Sequence, residues 1–275
     1  MSCRMSLSAI ALTFLLSAPA HAAQIFDPAK YPDMAGRWGP SGVNQWARGE
    51  KAPLTPEYQA IFEANLKDVR EGGQGTDPMY RCLPPGMPRV MHVYDPMEIV
   101  ITPAITYILI DHINDNRRIY TDGREWPAAD IDPIFAGYSI GRWIDEGGTG
   151  RYNLLEVETR FIKGPRSLDG SGLPTHADNQ TIVKERIYLD AANPDVLHDD
   201  VTLLDHAYTR PWTVRKTYPR DKAAGPTWWR EAVCAENQSH VVVGKDDYFI
   251  SADGYLMPVR RNQAPPDLRY FKPHP

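Results

Sequence analysis

Cysteine is nearly absent from this chain. Three occur, at Cys3, Cys82 and Cys234, and none has a C-x-x-C partner, which removes paired-thiol redox motifs and cysteine-based metal knuckles. H-E-x-x-H and His-x-His are missing as well, so no local motif assigns a metal. There is no dinucleotide fingerprint and no P-loop, and no cofactor is expected. Basic charge is not in excess: the formal net charge is -5. That excludes an electrostatic case for nucleic acid and for an anionic membrane face. The apolar run over 7–16 is too short to span a bilayer and no other long apolar run follows, so no membrane insertion is expected. Ala- and Leu-rich helical windows are also scarce, which argues against a helical bundle.

What is present begins with the pattern of a secretory signal. Arg4 is the positive n-region, residues 7–16 are the apolar stretch, and Ala20-His21-Ala22 is a small-residue cleavage site. The expectation is a signal over 1–22, a mature chain from near Ala23, and a periplasmic or secreted location. Cys3 leaves with the signal. The two remaining cysteines, Cys82 and Cys234, are expected to be bridged in an oxidising compartment.

Twenty-five prolines and twenty glycines punctuate the sequence. Between them lie short β-branched and alternating runs at 97–102, 105–113, 117–120, 139–144, 152–162, 181–189, 196–204, 212–218 and 228–234. Strands at such spacing predict a mainly β fold: one antiparallel barrel over 23–275 with an N-terminal extension and long loops. One helix is predicted over 55–71. Thr55 caps it, Pro56 suits its first position, and Tyr58, Ile61, Phe62 and Leu66 form its apolar stripe. Its expected role is a lid or plug on the barrel.

Five segments carry a resemblance. They are residues 81–89 (RCLPPGMPR), 118–124 (RIYTDGR), 139–143 (SIGRW), 208–212 (YTRPW) and 234–237 (CAEN). Together they resemble a largely uncharacterised family of secreted bacterial proteins, which implies a lipocalin-like β-barrel with an enclosed pocket. The resemblance supplies no catalytic residues. Tyr138 stands where that family commonly has histidine, and the 145–151 turn is longer.

Gly137-Tyr138-Ser139-Ile140-Gly141 also matches the G-x-S-x-G nucleophile elbow. The residues after it read as strand and hairpin, not helix, so a serine hydrolase using Ser139 is the second alternative. The stronger signal is ionisable groups on otherwise apolar strands. Glu185, Arg118 and Arg142 are expected to point into one interior, with His112 or His176 at its mouth. His176, Glu185, His112 and Tyr138 are the candidate acid/base groups; Arg118, Arg142, Tyr120 and Asp111 are the candidate ligand contacts. The expected partner is a small hydrophobic or aromatic molecule. Two readings stand: a cofactor-independent lyase, isomerase or hydratase, and a carrier or sensor without chemistry. No sequence feature fixes the oligomeric state.

Overall fold

The computed structural model describes residues 26–39, 45–47, 49–92, 95–111, 116–128, 131–222, 229, 240–243, 246–251 and 255–265. The expected signal over 1–22, His112, Cys234 and nearly all of the strand expected at 228–234 lie outside the described residues.

Nine strands form one sheet in chain order. They are β1 (Arg37–Trp38), β2 (Met97–Ile101), β3 (Ile105–Ile110), β4 (Arg117–Tyr120), β5 (Tyr138–Ile144), β6 (Leu154–Arg160), β7 (Ile182–Leu189), β8 (Val196–Leu204) and β9 (Trp212–Pro219). Alternation makes them strands. On β8, Leu197, Asp199, Val201 and Leu203 are buried while every intervening residue is partly exposed, the two-residue period of a sheet with one dry face. The sheet curls into a barrel that closes almost completely through β1. Trp38 pairs with Met97 of β2 and bridges Arg220, just past β9. Gly39 N donates to Pro219 O at 2.7 Å, and Asp221 N to Arg37 O at 2.8 Å. The fold is therefore mainly β, a single lipocalin-like barrel.

One neighbouring pair departs from the antiparallel rule. β4 and β5 run parallel, with Ile119 opposite Ser139 and Tyr120 opposite Ile140. Parallel neighbours need a crossover of a dozen or more residues, and residues 121–137 supply it. A second sheet, with no counterpart in the sequence reading as strands 10 to 12, comprises β10 (His240–Val243), β11 (Asp246–Ile250) and β12 (Leu256–Pro258).

The helix α1 (Pro56–Arg70) starts where its cap predicts, with Thr55 Oγ1 accepting from Tyr58 N at 3.4 Å. Tyr58 and Phe62 pack against the core, which makes α1 a lid. Buried Asn65 anchors its middle, donating to Ser171 O and accepting from Thr76 N, both at 2.6 Å. The plug is a different segment. The 3-10 turn Arg89–His92 is buried throughout. Val90, Met91 and His92 of that turn join Met34, Trp46 and Met87 inside, and each is at most 4% exposed.

Gly86 sets the path into this plug. Its φ is +64°, and a Cβ there would stand 2.5 Å from the Phe135 carbonyl oxygen. Both the left-handed backbone and the backbone contact oppose a side chain. Gly86→Ala is expected to cost about 2–4 kcal/mol, combining left-handed strain with overpacking. Urea unfolding of the purified protein checks it; a cost under about 1 kcal/mol would contradict this packing.

Candidate functional site

Strand parity places the candidate residues, because adjacent side chains on a strand take opposite faces. On β4, Arg117 and Ile119 are buried while Arg118 is exposed and Tyr120 half-buried. On β5, Ser139, Gly141 and Trp143 face in, and Tyr138 and Arg142 face out. On β7, Val183, Glu185 and Ile187 face in. Of Arg118, Arg142 and Glu185, only Glu185 is therefore in the interior. The inward arginine is Arg117, one residue from the expected Arg118, and a one-residue offset reverses the face.

The outward groups have other partners. Arg142 bonds Glu156 at 3.2 Å. Tyr120 and Tyr138 stack at 4.9 Å between ring centroids. Arg124 lies 3.8 Å over Tyr120 and donates to the Tyr138 hydroxyl at 3.2 Å. Asp111 is fully buried at the end of β3 and is bonded to Arg37 at 3.4 Å, a pairing within the wall. His176 sits in the β6–β7 loop, its ring 5.3 Å from that of Tyr58 on α1. Tyr138, His176 and Glu185 thus occupy three separate places and do not form an acid/base set. Nor is Ser139 on an elbow. Its Oγ is 2.8 Å from Thr159 Oγ1, and its strand continues to Ile144 without a turn into helix.

The interior holds ionisable groups that the sequence reading passed over. Arg117 grips Glu185 with both terminal nitrogens, Nη1 to Oε1 at 2.7 Å, and its Nη2 also donates to Thr159 Oγ1 at 3.2 Å. Asp199 is fully buried, and neither of its oxygens accepts a hydrogen bond. Burial first, then the charge of Glu185, hold its carboxyl well above the usual range, which favours its neutral form. Across the strand, Lys216 donates to Trp46 O, lies 4.1 Å over the Trp46 ring and is 3.1 Å from His92 Nδ1. Burial pulls this ammonium down to about 8. The Tyr218 hydroxyl donates to Met91 O. The alternation of β8 is the sequence signal that places Asp199 inside.

The apolar concavity lies elsewhere. A cavity of about 600 Å³ opens between α1, the 3-10 turn Pro78–Arg81 and the loop after β6. Tyr58, Ile61, Tyr80, Leu83 and Phe135 wall it. Ile61, Tyr80 and Leu83 are 43%, 52% and 41% exposed, so this apolar wall faces solvent. Arg166 lines the same cavity, with its guanidinium 3.8 Å over Phe135 and its Nε donating to Lys163 O at 2.8 Å. Its buried Nη1 has no hydrogen-bond partner, and burial pulls the group down to about 10. A larger groove of about 900 Å³ runs over the outer faces of β5 to β8. There Arg142, Lys184 and Arg186 are already matched by Glu156, Glu158 and Glu146.

Glu185→Gln should cost about 3–5 kcal/mol in urea unfolding, because it leaves the buried Arg117 uncompensated. Asp199→Asn should cost nothing near neutral pH. The raised folded-state carboxyl contributes stability that is fully present below the ordinary value of 3.8 and is lost as pH rises toward the folded value. The amide mimics the neutral acid, so the variant's stability should fall less than the wild type's as pH rises from acid to neutral. Parallel pH profiles, or a harmless Glu185→Gln, would refute this account of the interior. No protein-family model matches the chain, and no curated protein matches it.

Proposed function

We propose that the mature protein is a periplasmic or secreted carrier that holds a small hydrophobic or aromatic anion in the cavity beneath α1. The observation that carries this reading is an exposed apolar wall set beside a buried guanidinium edge with no partner. Exposed apolar clusters of this kind mark binding surfaces. An unpaired buried donor is costly unless something accepts from it. The volume of about 600 Å³ is within the ordinary span of small-molecule sites, about 300–1,000 Å³. An aromatic ring fits against Phe135, Tyr58 and Tyr80, and a carboxylate or sulfonate fits Arg166. Export is supported by the residue 1–22 pattern, and by the segment resemblance to secreted bacterial barrel proteins. The carrier reading is preferred to the lyase, isomerase or hydratase one because Tyr138, His176 and Glu185 are dispersed.

Fluorescence titration with anilinonaphthalene sulfonate, an aromatic anion, tests it. Saturable binding of one probe per chain is expected. Tyr80→Ala and Leu83→Asp should each weaken it about tenfold, or about 1.4 kcal/mol. Arg166→Gln should weaken this anion and leave the neutral probe phenylnaphthylamine nearly unchanged. No saturable binding, or binding indifferent to all three substitutions, would sink the proposal.

The same exported setting leads to a Cys82–Cys234 bridge, which would contribute about 2–5 kcal/mol. Thiol titration of the denatured, unreduced mature protein should find no free thiol. Two titratable thiols would overturn the pairing.

A further inference from the structure

We infer that His176, Asp178 and His206 form a site for a divalent transition-metal ion, with zinc as the reference ion. The inference does not rest on the cavity reading. It starts from register. Ile182 at the start of β7 pairs with Leu204 at the end of β8. Antiparallel pairing therefore brings the residues just before 182 against those just after 204. The ligand atoms of His176, Asp178 and His206 all lie within 4.8 Å of one another. A tetrahedral zinc ion with bonds of about 2.0–2.2 Å separates its ligands by about 3.3 Å, so modest side-chain rotation closes this set.

The carboxylate is already oriented for the purpose. Asp178 Oδ1 accepts from Gln180 N at 3.0 Å. That leaves Oδ2 facing the rings, 2.5 Å from His206 Nδ1 and 3.1 Å from His176 Nδ1. His176 Nδ1 itself accepts the Asp178 N–H at 3.1 Å. A metal ion at this point would take the place of that N–H contact on the His176 lone pair, while Oδ2, already between the two rings, would supply the carboxylate ligand.

Asp205 ties the two ligand-bearing segments together without belonging to the set. It accepts from His176 N at 3.1 Å and Ala207 N at 2.7 Å, and from Thr181 Oγ1 at 2.5 Å. Supporting contacts of this sort fix the geometry of metal ligands. Two imidazoles and one carboxylate suit zinc or iron(II) and leave coordination positions open for water or a small anion. The His206 side chain is 64% exposed, so an ion enters from solvent. No compact motif announced the site, because its third ligand comes from another turn.

Isothermal titration of the EDTA-stripped mature protein with zinc sulfate tests the inference, with cobalt(II) absorption as the spectroscopic readout. One ion per chain is expected, with Kd near or below about 10 μM and cobalt ligand-field bands. Asp178→Asn and His206→Gln should each weaken binding about tenfold or more, with circular dichroism unchanged. His198→Gln, whose ring pairs with Asp190 at 3.1 Å, should bind as the wild type does. Absence of zinc uptake, or uptake unaltered by both substitutions, overturns the site.

Discussion

A guanidinium sealed inside a barrel is tolerable only if its counter-charge is sealed in with it, and Arg117 and Glu185 meet that condition across the interior. Each charge alone would cost several kcal/mol to strip of water. Together, with Thr159 taking a further donor, they become a fixed polar centre. The neighbouring groups follow from it. The negative charge of Glu185 is one reason that the Asp199 carboxyl is raised, favouring its neutral form. Apolar residues from all nine strands, β1 to β9, complete the lining.

A second set of contacts joins wall to plug. Lys216 and Tyr218 on β9 reach the backbone carbonyls of Trp46 and Met91. Trp46 N is in turn held by Asp169 at 2.7 Å. Polar side chains from the barrel thus satisfy carbonyls of irregular segments that no strand could reach. The interior space that a lipocalin-like ligand would use is taken by Trp46, Met87, Val90 and Met91. Concave apolar surface is left under α1, where loops wall the cavity.

The barrel was legible from the sequence because its signals are local and periodic. Alternation on β7 and β8, and the Thr55–Pro56 start of α1, needed no tertiary knowledge. Which face points inward did not follow so simply. Arg117 and Arg118 are adjacent arginines, and only the pairing of β4 with β3 and β5 settles which one goes inside. The segment 118–124 was recognisable, yet it builds the outer stack of Tyr120, Tyr138 and Arg124. Arg166 and His206 sit in loops, where neither period applies. Their neighbours come from distant segments, so their chemistry emerges only once the chain has closed.

The two-residue strand β1 joins the ends of the sheet, and this has a kinetic meaning. Its partners are β2 on one side and the residues just after β9 on the other. Almost the whole wall lies between them in sequence. Emerging from a pore or ribosome, Trp38 must wait for Pro219 and Arg220 before the ring can shut. The intervening hairpins form from near neighbours, but the last step has a long loop to close and few new bonds to reward it. Ring closure is thus a late event in assembly, and the β1 seam is where the wall would first unzip.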